Sequence, residues 1–219
     1  MKTVAVILSG SGYLDGAEIR ESVAVLWALA QHPVEVKIFA PDEPQLVVMN
    51  HFSGKATGET RNTLVEAARI ARGKIEPLSQ LTNHHYDALI MPGGFGVAKN
   101  LTTFALDGAK ATIASQELRD DIVAMNNDGI PIGAICIAPA LVGLALKGKN
   151  IELTFGADGP EAEEMRKLGH THFETKPDEI HIDSVNKIVT TPAYMYDEAP
   201  INEVFIGIKK LVDAVIEMM

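Results

Sequence analysis

Apolar and polar positions follow two rhythms along the chain. Short apolar runs recur at Thr3 to Leu8, Val34 to Ala40, Tyr86 to Met91, Ile130 to Ile135 and Ile151 to Phe155. Their near-continuous hydrophobicity predicts strands buried on both faces. Between them the apolar positions recur at helical spacing. One such stripe runs through Ile19, Val23, Leu26, Trp27 and Ala30, which places Trp27 in the core. A second helix is predicted over Thr60 to Arg72, with Leu64, Ala67, Ala68 and Ala71 inward and Arg61, Arg69 and Arg72 solvated. Further helices are predicted over Ser115 to Asn127 and Glu161 to Leu168. The clearest carries Ile201, Val204, Phe205, Ile208, Leu211, Val212, Val215 and Ile216 on one face. Glu179 to Thr190 reads as a hairpin about Val185-Asn186, with His181 exposed. Strands alternating with helices predict an α/β fold, a mostly parallel sheet sandwiched by helices.

Composition narrows the function classes. The 219 residues suit one domain over 1–219, with no Gly/Ser- or Pro-rich linker to divide them. A formal charge of −10 argues against a nucleic-acid or anionic-membrane surface, both of which need clustered Lys and Arg. No stretch reaches transmembrane length, and Met1-Lys2-Thr3 leads straight into a strand rather than a signal peptide. A single cysteine excludes an internal disulfide and a multi-cysteine zinc site, so a cytoplasmic setting is expected.

That cysteine, Cys136, stands between the apolar run ending at Ile135 and a helix with Pro139 in its first turn. A nucleophile at such a corner needs small neighbours two residues away, and Ala134 and Ala138 are there. The helix N-terminus beyond it would favour a thiolate. Periodicity alone leaves the choice open between this reading and a small buried hydrophobe. Open α/β sheets bind ligands at the carboxyl ends of their strands. Ser9 to Gly16 and Pro92 to Gly96 are the loops expected there. The adjacent Gly93 and Gly94 let backbone N–H groups point into a pocket, which with the amide after Cys136 would form an oxyanion hole. Glu18 is the acid to examine at this edge, although Asp15 with Glu18 also makes a capping-box-like pair that needs no catalysis. Glu21 is the second choice of acid and is expected to be solvated. His51, in the long connection Pro41 to Thr60, is either a base or a surface residue; a connection of that length predicts function or internal order. Gly10, Gly12 and Gly16 lack the spacing of a dinucleotide-binding turn.

Several motifs together carry a resemblance: LSGSGYLDGAEIRE at Leu8 to Glu21, NHFSG at Asn50 to Gly54, GETRN at Gly58 to Asn62, EAARIARG at Glu66 to Gly73, PGGFGVAKNL at Pro92 to Leu101, CIAPA at Cys136 to Ala140 and NKIVTTPAYM at Asn186 to Met195. In this order they closely resemble the ElbB family, in the PfpI-like group of the class I glutamine amidotransferase-like superfamily. That family carries the name isoprenoid biosynthesis protein, and cofactor-free glyoxalase activity is ascribed to it. The resemblance implies Cys136 as the elbow nucleophile, Glu18 as the carboxylate that hydrogen-bonds it, Gly94 and Ile137 as oxyanion amides, and a homodimer. It implies a small 2-oxoaldehyde substrate, glyoxal or methylglyoxal, with no metal, nucleotide or glutathione. Two departures count against peptidase and glutaminase triads: Ile137 stands where PfpI-like peptidases have histidine, and Thr190-Thr191-Pro192-Ala193 stands where amidotransferases have a His-x-Glu pair. His51 is the base that this leaves to consider. A redox sensor or regulatory partner using the same thiol, with incidental glyoxalase turnover, is the alternative, and an amidotransferase subunit a weaker one.

Overall fold

The computed structural model describes residues 1–219 except for the side chain of Asn83. In chain order the first elements are β1 (Lys2–Ile7), α1 (Ile19–Leu29), β2 (Val34–Ala40), β3 (Met49–Asn50), β4 (Lys55–Ala56) and α2 (Thr63–Ile70). They are followed by β5 (Glu76–Pro77), β6 (Ala88–Met91), α3 (Phe104–Asp107), α4 (Gln116–Asn127), β7 (Ile132–Ile135) and α5 (Ala138–Ala145). The last are β8 (Glu152–Gly156), α6 (Pro160–Lys167), β9 (Thr171–Glu174), β10 (His181–Asp183), β11 (Ile188–Thr191) and α7 (Ile201–Met218).

Seven strands form the central sheet in the order β10-β11-β7-β6-β1-β2-β5. Its pairs are parallel except for the edge pair β10 and β11, where His181 faces Thr190 and Asp183 faces Ile188. β6 and β7 are buried throughout, as expected of central parallel strands covered on both faces. α7 packs against β7 so closely that a Cβ at Gly133 would stand 2.8 Å from Leu211 and 3.2 Å from Val215. Val204, Ile208, Leu211, Val212 and Val215 are completely buried, each stabilising the fold by about 1.5–3 kcal/mol through apolar burial.

Local signals explain the helix starts. Asn62 and Ser115 cap α2 and α4 by accepting the N–H groups of Val65 and Leu118. The sequence pattern placed the α2 start at Thr60; it begins at Thr63 because Asn62 supplies the cap. α1 departs further from expectation. Its inward face is Glu21, Ser22, Ala24, Val25, Ala28 and Leu29, while Ile19, Val23 and Trp27 face outward, Trp27 being 49% exposed. The inner face thus mixes Ala24 and Ala28 with Val25 and Leu29, all essentially fully buried. The connection after β2 does hold internal order, the small hairpin of β3 and β4. His181 is half-buried rather than exposed, bonded to Glu152 at 2.9 Å and stacked on Phe173.

Candidate active site

The carboxyl ends of β11, β7, β6 and β1, four neighbours in the sheet, carry the segments that meet around Cys136. β7 ends at Ile135 and α5 begins at Ala138, so Cys136 makes the turn. Its φ is +59°, a left-handed conformation that costs a non-glycine residue about 1–3 kcal/mol and persists only where the surroundings impose it. Here the Cys136 N–H donates to Thr191 O at 2.9 Å, carrying the β7–β11 pairing one residue past the strand.

Loop 92–96 touches the cysteine directly. A Cβ on Gly93 would stand 2.4 Å from Cβ of Cys136, so no side chain fits there. Gly94 has φ +95°, and a Cβ on it would meet Glu18 N and Gly16 O at 2.4 Å, which locks loop 92–96 to loop 9–16. The Gly94 and Ile137 N–H groups both donate to the Cys136 sulfur. These are the two amides singled out in the sequence.

The carboxyl group against the sulfur belongs to Glu21, not to Glu18. Glu18 is the N-cap of α1, its Oε2 accepting the Glu21 N–H at 2.6 Å, so the expected hydrogen bond from Glu18 to Cys136 is corrected. Asp15, half of the supposed capping box, instead accepts the Met49 N–H at 2.6 Å. Glu21, expected in solvent, is 0% exposed and hydrogen-bonds Cys136. Its Oε2 accepts the Gly93 N–H at 2.9 Å, and its Oε1 accepts the Tyr194 N–H at 3.2 Å. Burial, reinforced by the charge of Glu18, pushes the Glu21 carboxyl up to about 8. Burial, with the charge of Glu21 next, also pushes the Cys136 thiol up, against the thiolate expected from the helix N-terminus. Two ionisable groups this close lose their first proton as a pair.

His51 stands apart from this cluster. Its Nδ1 meets Met49 O at 3.2 Å and its Nε2 accepts the Leu14 N–H at 3.3 Å, so the tautomer with the proton on Nδ1 satisfies both. The ring props loop 9–16, and among the described contacts none joins it to Cys136 or Glu21. Sequence reasoning ranks Glu21 second among the acids and does not single out Tyr194. The available signal for Glu21 was its spacing with Val25 and Ala28, which puts an acid on the small-residue face of α1. The described residues hold no cluster of three metal-ligating side chains, and no helix among them is long and apolar enough to cross a membrane.

A mostly parallel sheet flanked by helices, with a sharp turn at a cysteine after a central strand, is the class I glutamine amidotransferase-like fold. The chain is 43% identical to human glutamine amidotransferase-like class 1 domain-containing protein 3, mitochondrial, over 98% of its length and 82% of the relative's. The chain therefore belongs to the glutamine amidotransferase-like class 1 family. No family model matches it. A solved isoprenoid biosynthesis protein with an amidotransferase-like domain from Ehrlichia chaffeensis superposes with TM-score 0.91 at 36% identity, covering 100% of this chain and 99% of that one. Glyoxalase III from Candida albicans shares the fold, with TM-score 0.60 at 12% identity over 98% and 97% of the two chains.

Proposed function

We propose that the protein is a cofactor-independent glyoxalase of the ElbB type, converting glyoxal or methylglyoxal and water to glycolate or lactate. What supports the reading is the convergence on the Cys136 sulfur of the Glu21 carboxyl and of two backbone N–H groups. As the sulfur bonds to the aldehyde carbon, its proton passes to ionised Glu21 and the carbonyl π pair moves to oxygen. The Gly94 and Ile137 amides are placed to hold that oxyanion. Glu21 hands that proton on to the oxyanion, which gives a hemithioacetal and leaves the carboxylate ionised again. Glu21 then takes the proton from the former aldehyde carbon and passes it to the neighbouring carbonyl oxygen, and an enediol forms. Its collapse, with a proton delivered to the neighbouring carbon, leaves a 2-hydroxy thioester. Water attacks the acyl carbon, the C–S bond breaks, and the hydroxy acid and the thiol are released.

An acid titrating near 8 is matched to this work, because a group close to ambient pH both takes and returns protons. The Gly93 and Tyr194 N–H groups offset part of the cost of its charge. Cys136 is 7% exposed, so only a small part of the residue is open to a substrate aldehyde. With Ile137 after the nucleophile, no histidine stands there to activate glutamine. The same proposal includes a homodimer and a cytoplasmic setting in which Cys136 stays reduced, although the human relative is named mitochondrial. Sedimentation at twice the mass of the chain is the expected result for the dimer.

The test is product formation by purified protein given methylglyoxal, glyoxal or glutamine without metal, nucleotide or glutathione. Lactate and glycolate are expected, without ammonia, and Cys136→Ser should lose the activity. A serine variant as active as the parent would refute the nucleophile. Turnover below about 1 s⁻¹, the low end for enzymes, would favour the redox-sensor reading instead.

A further inference from the structure

Arg20 sits one residue before Glu21, at the exposed start of α1. Its guanidinium lies 5.7 Å from the centre of the Tyr194 ring and donates through Nη1 to the Tyr194 hydroxyl at 3.1 Å. The backbone N–H of that tyrosine is the donor to Glu21 Oε1, so the rim that holds Arg20 is tied to the acid at the sulfur. A guanidinium stacked on an aromatic ring within about 6 Å is held in orientation. It also carries five N–H donors in a planar fork, and the Tyr194 hydroxyl engages one of its nitrogens. Glu18, the acid that interacts with Arg20, accepts backbone N–H groups from Arg20 and Glu21, which turns its carboxyl to the helix end. Lys99, the cation near loop 92–96, lies 5.0 Å from the ring of Phe95, next to Gly94, and its ammonium donates to Leu14 O at 2.9 Å. In a chain of charge −10, a cation with donors to spare that is held in orientation by an aromatic ring is a local exception.

We propose that Arg20, held on Tyr194, is an anion seat at the rim of the Cys136 site, so that the preferred substrate is a 2-oxoaldehyde carrying a carboxylate or phosphate at the end away from the aldehyde. The proposal rests on the glyoxalase reading for its chemistry, and the overall balance is unchanged: R–CO–CHO and water give R–CHOH–COO⁻ and a proton. A planar fork binds such an end through paired N–H groups, and fixing the tail orients the aldehyde against the sulfur. Arg20 acts in this account as a positioning and specificity residue, away from the reacting atoms.

The experiment compares 4,5-dioxopentanoate, which carries a carboxylate, and a phosphate-bearing 2-oxoaldehyde with neutral methylglyoxal, using the parent, Arg20→Lys and Arg20→Gln. Binding of 2-hydroxyglutarate, the product from 4,5-dioxopentanoate, is measured by calorimetry on the same proteins. The parent is expected to favour an anionic aldehyde through a lower KM. Arg20→Gln should reduce the anionic-to-neutral ratio of kcat/KM at least ten-fold and weaken 2-hydroxyglutarate binding in parallel, with Arg20→Lys in between because it keeps charge without the fork. Whichever of the two anionic aldehydes loses more identifies the tail group. An unchanged ratio with unchanged product binding would overturn the seat while leaving the glyoxalase reading standing. If no aldehyde turns over, the glyoxalase reading falls, and 2-hydroxyglutarate binding decides the seat alone: loss in Arg20→Gln upholds it, and equal binding overturns it.

Discussion

Glu21 shows how much a single buried acid can decide. Its carboxyl titrates near 8 in the folded chain against an ordinary 4.5, so between those values the folded state holds a proton that the unfolded state has released. Stability from this group is therefore fully present below about 4.5, falls as pH rises, and is lost above about 8. The slope is about 1.4 kcal/mol per pH unit within that window. Glu21→Gln should flatten the dependence of melting temperature on pH there, and an unaltered slope would show that Glu21 is ionised in the fold at neutral pH. Because the charge of Glu18 contributes to the upward shift, Glu18→Gln should move the Glu21-controlled limb of the pH–rate profile to lower pH. The cap itself survives, since glutamine still accepts the Glu21 N–H. Sequence reading puts the amides of Gly94 and Ile137 beside Cys136, where the structure has them, because small neighbours and paired glycines leave a visible pattern. It puts Glu18 at the sulfur where the structure has Glu21, because two acids three residues apart at a helix start differ only in which way the helix is rotated.

At the level of elements, the strands and most helices were legible, since buried parallel strands and an apolar stripe like that of α7 are fixed by the need to exclude water. α1 was not, because its inner face uses Ala24 and Ala28 where large side chains would not fit, and leaves Ile19, Val23 and Trp27 outside. The difference is measurable. Leu211→Ala, at a completely buried position over β7, should cost about 2–5 kcal/mol in denaturant unfolding. Trp27→Ala should cost well under half as much, despite the larger side chain, because much of the ring already faces solvent. Equal losses would place Trp27 in the core after all. Loop 92–96 predicts a local effect of another kind: Gly93→Ala forces a methyl group to within 2.4 Å of Cys136 Cβ, so it should displace the sulfur and abolish turnover. A fully active Gly93→Ala protein would contradict the packing at the turn.

For the whole molecule, the candidate site is a product of topology. Residues far apart in the chain, Glu21 after β1, Gly93 and Gly94 after β6, Cys136 after β7 and Tyr194 after β11, meet because four parallel strands end along one edge. No local pattern announces Tyr194, whose contribution is a backbone N–H that any residue but proline could supply. His51, which did stand out by residue type, holds a loop instead. The central claim is that Cys136 works with the buried Glu21 rather than with Glu18 or a histidine. The most direct measurement is lactate formation from methylglyoxal by Glu21→Gln and Glu18→Gln side by side, with folding checked by circular dichroism. The account predicts a loss of about 10²–10⁴-fold in Glu21→Gln, the usual span for removing a general acid–base group, and substantial activity in Glu18→Gln. A folded Glu21→Gln protein that keeps the parent rate while Glu18→Gln loses it would contradict the account.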